Sequence, residues 1–420
     1  MRISDVYESL VTPDVPVGFR AYDGSSAGPR DAEVVVELRS PLALRYLATA
    51  PGELGLSRAY VTGALEIHGD LHTALVGLLS HRREGLRRRD ALRWIPRLGL
   101  GTLRPPPIPP EEAPPPWRRG LRRHTPKRDA AAIAHHYDVP SGFYELLLGP
   151  TMTYSCAVFT GDDSTLDEAQ VEKVDLICRK LDLRPGQRLL DVGAGWGALV
   201  RHAAEHYGAN ALGVTLSAEQ AGWAARAIEE AGLSGQAEVR RLDYRDVRET
   251  GFDAISSVGT MEHIGSAELG RHFTMMFGKL RPGGRMLNHT ITRASDAGNT
   301  RIGGFNDRYI FPDGELQGPA TVVRAMHDHG LEVRHSENLR EHYGRTLQEW
   351  GLNLERHWDQ AVGQVGERRA RAWRLYMAVS RLAFETNRVE IHQILGVRLD
   401  EQGRSGMPLR PTWDAGTVLT

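Results

Sequence analysis

The octapeptide VGTMEHIG (258–265) begins where an apolar run, AISSV (254–258), ends, and it sets a carboxylate beside an imidazole at Glu262 and His263. Such a pair suits a general base, two metal ligands or an ordinary polar turn. As metal ligands the two are poorly spaced on one element. Adding His289 supplies no H-x3-H or CxxC pattern, so no metal is expected. A second candidate is the glycine loop DVGAGWG (191–197), which leaves a strand-like run and opens a helix-like one. Gly193 and Gly195 let backbone approach a ligand closely, and a helix N-terminus offers free N–H groups. The G-x-G-x-G spacing is not the dinucleotide G-x-G-x-x-G. Asp191 just before the first glycine, with a following strand that ends in TLS, favours S-adenosylmethionine over a nicotinamide. A bare strand–helix turn is the alternative.

Two further corners follow in order. GVTLSAEQ (213–220) places Thr215, Leu216, Ser217 and Gln220 where a ribose would sit, and LDYRD (242–246) places Asp243 and Tyr244 to flank an adenine. Each alone is equally well read as capping chemistry, and their order along the chain is what points to a cofactor.

The elements that must carry these residues alternate. RLLDVG (188–193), ALGVTL (211–216), AEVRRLDY (237–244), FDAISSV (252–258) and GRMLNHTIT (284–292) read as strands. GALVRHAAEHYG (197–208), SAEQAGWAARAIEEAG (217–232) and AELGRHFTMMFGKL (267–280) read as helices between them, with Ser217 as an N-cap and Gly208 as a stop. This alternation predicts a doubly wound, mostly parallel sheet whose ligands bind beyond the carboxyl ends of the strands, where VGTMEHIG lies. RAWRLYMAVSRLAFETNRVEIHQILGV (371–397) reads as helical. Upstream, VVVEL (34–38) reads as a strand and SPLALRYLA (40–48) as a helix.

The chain has 420 residues, room for two domains, and its net charge of −1 names no partner. The distribution is uneven. Residues 81–128 hold fourteen Arg/Lys against four acids, which suits an anionic membrane or nucleic acid, or else a solvated linker. Residues 101–117 include eight prolines and read as an extended spacer. Cys156 and Cys178 suggest no disulfide framework, so a reducing cytoplasm is expected. Neither a leader peptide nor a membrane span is legible.

Taken together, HHYDVPSGFYELLLG (135–149), MTYSCAVF (152–159), LLDVGAGWGAL (189–199), MEHIG (261–265), NHTIT (288–292), RYIFPDGEL (308–316) and HYGRTLQEW (342–350) resemble the cyclopropane-fatty-acid synthase family of S-adenosylmethionine-dependent lipid methyltransferases. YSCAVF, EHIG, HTI and YIFP together are highly specific to it. The resemblance implies an α/β Rossmann-like class I methyltransferase with a doubly wound sheet over 121–400. It also implies a smaller α+β N-terminal lipid-binding or association domain over 1–100, a Pro-rich linker over 101–120 and a tail over 401–420. Tyr137, Tyr154 and Ser155 join the cofactor set by the same resemblance.

The implied reaction is methyl transfer to a cis double bond of a phospholipid acyl chain such as oleoyl. The resulting carbocation needs aromatic faces and a dry pocket. Tyr154, Tyr309, Phe311, Tyr343 and Phe384 are the candidates, and about half of them are expected to be plain core packing. Family members remove the last proton with a bound bicarbonate. By motif, its ligands fall on Cys156, Glu262, His289, Ile291 and Tyr343. His263 is then scaffolding, and Cys156 is a polar wall rather than a nucleophile.

Some relatives give a methylene branch in place of the ring, which a flavin-dependent reductase turns into 10-methylstearate. Asp313 in FPDGEL and the Arg- and Ala-rich composition lean toward that branch, although both outcomes share the first step and the base. A homodimer on the inner face of the membrane, with the basic segment on anionic headgroups and no nucleic acid bound, completes the expectation. The competing readings are a methyltransferase of the same fold acting on a soluble small molecule and a nucleic-acid binder using the Arg cluster. The latter leaves the glycine loop and EHIG without a role.

Overall fold

A computed structural model describes residues 2–83, 100–114, 128, 139–297 and 300–413. Tyr137 and most of the basic segment 81–128 lie outside the described residues. The chain divides into two compact units: 1–115 with 303–310 and 354–382, and 116–302 with 311–353 and 383–420.

The first unit is built on a four-stranded sheet of β1 (Val17–Ala21), β2 (Ser26–Ala27), β3 (Val34–Leu38) and β4 (Leu65–His68), in the order β2-β1-β3-β4. VVVEL forms β3 as read. SPLALRYLA gives the helix Pro41–Thr49, with proline in its first turn where no N–H is needed. Three arginine–carboxylate contacts tie the later segments into this unit. Glu112 is buried between Arg58, at 2.7 Å, and Arg308. Arg371 donates to Glu66 at 2.9 Å and to the Tyr60 carbonyl at 2.8 Å. Each buried charge is thus paired, which its desolvation requires.

The second unit holds a seven-stranded sheet. Its strands are β5 (Arg188–Val192), β6 (Asn210–Thr215), β7 (Ala237–Arg241), β8 (Phe252–Val258), β9 (Leu280–Arg293), β10 (Leu331–Asn338) and β11 (Val389–Arg398), in the order β10-β11-β9-β8-β5-β6-β7. β5 to β9 run parallel, while β11 is antiparallel to both β9 and β10. Neighbouring residues along each strand face opposite sides. Leu189, Ala211, Ala254, Leu287 and Leu395 pack on one face, against Val174, Ile177 and Val200 of the helices there. Leu190, Leu212, Ile255, Met286 and Ile394 pack on the other, against Phe273, Met276 and Val322. Ser217 caps the helix Ala218–Glu230 and Gly208 closes the helix Ala198–Tyr207 in the left-handed conformation, both as read.

Two readings are corrected. The stretch 371–397 is not one helix. A helix covers Glu367–Glu385, the chain turns at Asn387 with φ 52°, and VEIHQILGV becomes β11 between β9 and β10. A strand buried on both faces is a continuous apolar run, which periodicity does not separate from a buried helix. AEVRRLDY also stops early, because Asp243 leaves the ladder and caps a 3₁₀ turn, Tyr244–Asp246, by accepting the Arg245 N–H at 2.9 Å.

Candidate active site

The glycine loop floors a cavity of 390 Å³ at the carboxyl ends of β5, β6 and β8. Gly193 has φ 79°, and a Cβ there would sit 2.1 Å from Thr260 Oγ1, so only glycine fits. At Gly195, φ 55°, a Cβ would meet nothing within 4 Å, so this residue presents bare backbone to the space. Thr260 locks the arrangement by donating to the Val192 carbonyl at 2.9 Å.

Most of the expected cofactor residues meet here. Asp191, Gly193 and Gly195 line the cavity beside Tyr154 and Ser155, and Thr215, Leu216, Gln220, Asp243 and Tyr244 complete it. Ser217 is not in the lining; its Oγ accepts the Gln220 N–H at 3.3 Å as the helix cap. Thr215 Oγ1 donates to Gln220 Oε1 at 2.7 Å, which fixes the corner at the end of β6. Asp243 is held by Arg245, whose Nε donates at 2.8 Å. Burial pushes the Asp191 carboxyl up to about 6, against the pull of Ser256, which donates to it at 2.7 Å, and of Lys173.

The five residues expected around a proton acceptor lie outside this lining and come together through backbone. β8 ends with Val258 paired to His289. Two residues further along β9, the Ile291 N–H has no strand partner on that side and donates instead to Glu262 Oε1 at 2.6 Å. Ile291 is paired with Ile391, whose carbonyl accepts the Leu339 N–H at 2.8 Å. The Leu339 carbonyl in turn accepts the Tyr343 N–H at 3.2 Å and lies 3.8 Å from Cys156 Sγ.

The electrostatics of this cluster are set mainly by burial. Burial pushes the Glu262 carboxyl above its ordinary range, opposed by the Ile291 N–H and more weakly by Thr290. Burial holds His289 well below the usual imidazole range, and the ammonium groups of Lys173 and Lys180 push the same way, so the ring is neutral. The Cys156 thiol is raised far above its ordinary value by burial, which makes it inert as a nucleophile. Glu262 Oε2 and both ring nitrogens of His289 have no hydrogen-bond partner among the described residues. Orphaned buried acceptors and donors of this kind mark a place for a small polar guest. A bicarbonate fits them chemically: its hydroxyl can donate to the carboxylate, and an imidazole N–H can donate to its oxygens.

An aromatic chain links the two parts. Tyr154 lies 5.1 Å from Trp350, Trp350 meets Tyr343 edge-on at 6.1 Å, and Tyr343 packs on Phe384 at 4.5 Å. Phe311 is edge-on to His263 at 5.9 Å, which holds that histidine at the cavity wall and away from the Glu262 bond. Tyr309 belongs to the other compact unit, where it packs against Phe305. Asp313, at φ 66°, takes Arg128 in a two-pronged pair of 2.6 and 2.7 Å. Sequence reasoning missed Trp350, Lys173, Thr260 and His272. Trp350 was visible in HYGRTLQEW, but the others sit in helix and turn patterns that read as ordinary.

This sheet order, with the glycine loop after β5 and the cavity at the strand ends, defines a class I S-adenosylmethionine-dependent methyltransferase fold. The description "Mycolic acid cyclopropane synthetase" matches residues 124–394. A probable fatty acid methyltransferase of Mycobacterium tuberculosis is 50% identical over 408 residues, covering 95% of both chains. Another from Pseudomonas putida is 38% identical over 406 residues, 95% of this chain and 96% of its own. The solved structure of the mycolic acid cyclopropane synthase CmaA1 complexed with SAH and CTAB superposes with a TM-score of 0.60. It is 32% identical and covers 64% of this chain and 97% of that one. The chain belongs to the mycolic acid cyclopropane synthetase family, and it is an S-adenosylmethionine-dependent methyltransferase of the cyclopropane-synthase kind.

Proposed function

We propose that the protein methylates the cis double bond of an unsaturated phospholipid acyl chain, such as oleoyl, and returns a methylene-branched or cyclopropane product. Bound S-adenosylmethionine supplies an electrophilic methyl group, and bound bicarbonate supplies a weak base suited to a very acidic carbocation. In that reaction the methyl carbon would bond to one alkene carbon as its bond to the sulfonium sulfur breaks, leaving S-adenosylhomocysteine. Loss of a proton from the new methyl group to the base would close a ring onto the cationic carbon, whereas a 1,2-hydride shift onto that carbon followed by the same proton loss would leave a methylene branch. Tyr154, Trp350, Tyr343 and Phe384 offer π faces to that charge and exclude water from it. Glu262 and His289 orient the base, the Ile291 N–H fixes Glu262, and Cys156 and Tyr343 close the wall.

The observation that carries this reading is the buried, unpartnered set of Glu262 Oε2 and the two His289 nitrogens beside an aromatic path to the cofactor cavity. A polar acceptor that already carries a nucleophilic nitrogen or oxygen needs no such cluster. Among the described residues no helix is long and apolar enough to cross a membrane. In this reading the acyl chain is reached from the membrane surface, with the basic segment 81–128 on anionic headgroups, the protein on the cytoplasmic face and two copies associated. A flavin-dependent reductase would act on a methylene product. The test is incubation with methyl-labelled S-adenosylmethionine and vesicles of oleoyl phospholipid. Label in the acyl chain, found as a ring or a methylene by mass spectrometry, is the expected result. Label confined to water-soluble acceptors would replace this reading with a small-molecule methyltransferase.

A further inference from the structure

Glu337, Gln393, His289 and Val258 form one row across β10, β11, β9 and β8, because each is the register partner of the next. Directly opposed residues put their side chains on the same face, with Cβ atoms about 5 Å apart. Over this face the helix Leu166–Leu181 brings Lys180, whose Nζ donates to Gln393 Oε1 at 2.7 Å and pairs with Glu337. His335 and Lys180 hold the Glu337 carboxyl down to about 2 against the push of burial, so the ammonium has its charge partner there. Lys180 also settles which way the Gln393 amide points. A reversed amide would set its NH2 group against the ammonium, so the oxygen faces Lys180 and Nε2 is left over as a donor.

That donor has no hydrogen-bond partner among the described residues, although Gln393 is 0% exposed. His289, directly opposite and 1% exposed, has neither ring nitrogen partnered. A neutral imidazole carries one donor and one acceptor nitrogen, and the bond made at one of them decides the role of the other. On the far side of His289 the row ends in Val258, which is apolar and packs on the same face. The Gln393 amide is therefore the neutral donor placed beside the ring. We propose that Gln393 is a positioning residue that sets the tautomer of His289: its Nε2–H occupies the acceptor nitrogen of the ring, so that the other nitrogen carries the proton and donates a hydrogen bond to the bound base. Gln393 acts in this way through the bicarbonate site proposed above, on which the role rests.

Two variants of the full-length protein separate this role from that of merely seating Lys180. Gln393→Glu keeps an oxygen for the ammonium and turns an acceptor, not a donor, towards His289. Gln393→Met keeps the length of the side chain and offers neither. In methylation of oleoyl vesicles both should raise the KM for bicarbonate by roughly tenfold, the span of one lost hydrogen bond, while kcat at saturating bicarbonate changes far less. S-adenosylhomocysteine affinity should stay within about twofold, which shows that the variants are folded. The direct readout is the 15N NMR spectrum of histidine-labelled protein, with the His289 signals identified by their loss in His289→Asn. The wild type should show His289 as a single neutral tautomer, and both Gln393 variants should lose that preference. A wild-type bicarbonate KM in Gln393→Glu, or an unaltered His289 tautomer in both variants, would overturn the proposal. A wild-type rate indifferent to bicarbonate would instead defeat the base site itself, and the NMR comparison would still decide whether Gln393 sets the ring.

Discussion

Glu262 finishes the edge of β9. Its Oε1 accepts the Ile291 N–H at 2.6 Å, two residues beyond the last β8–β9 pair, while the buried Oε2 has no hydrogen-bond partner among the described residues. The carboxylate thus has two duties. One oxygen does the work of a missing strand, and in the proposed reaction the other orients the base.

That division makes Glu262→Gln informative. The amide oxygen can still accept the Ile291 N–H, so the fold and the affinity for S-adenosylhomocysteine should be kept. The second atom becomes a donor and no longer orients a base. Turnover on oleoyl vesicles should fall by about 100-fold or more. Unchanged turnover would remove Glu262 from the chemistry and leave it as strand capping alone.

Cys156 should prove dispensable as a nucleophile. Its thiol is fully buried and raised far above its ordinary value, so it stays protonated at any working pH. Cys156→Ser should keep turnover within about tenfold, and the folded protein should resist alkylation at pH 8. A loss approaching that of a missing catalytic nucleophile would contradict the assignment.

Gly193→Ala tests the cofactor floor. The added methyl would meet Thr260 Oγ1 at 2.1 Å in a backbone at φ 79° that alanine resists. Stability should drop by about 1–3 kcal/mol, and S-adenosylhomocysteine affinity should fall with it. Wild-type affinity in a calorimetric titration would mean that the loop does not approach the ligand.

Much of this was legible in the residues. The glycine loop, the Ser217 cap and the end of FDAISSV depend on local chemistry, and each fell where its pattern put it. What was not legible depends on distant pairing. VEIHQILGV is a strand only because β9 and β10 flank it on both sides. The Glu262–Ile291 bond exists only because β8 stops two residues short, a matter of register that no local pattern encodes. Lys173 lies in VEKVDLICRKL, where a lysine reads as solvent-facing until the TYSC segment is seen to cover it.

His272 gives a stability prediction whose sign follows from burial. Both ring nitrogens lack partners among the described residues, and burial lowers its pKa from 6.5 to about 4. A depressed imidazole is neutral when folded, so its contribution is fully present above about pH 6.5 and is lost as the pH falls towards 4. His272→Phe should remove that slope. Between pH 7.5 and 4.5 its unfolding free energy should fall by on the order of 2–3 kcal/mol less than that of the wild type. Denaturant titrations at the two pH values measure this, and parallel profiles would show that His272 is solvated or paired.

The proposed reaction depends on Glu262 and His289 holding a borrowed base. Its most direct test is the initial rate of lipid methylation in carbon-dioxide-free buffer, with and without added bicarbonate, for wild type and Glu262→Gln. The wild type should be stimulated by about tenfold or more and the variant should not respond. A wild-type rate indifferent to bicarbonate, in protein shown to retain none, would contradict the claim.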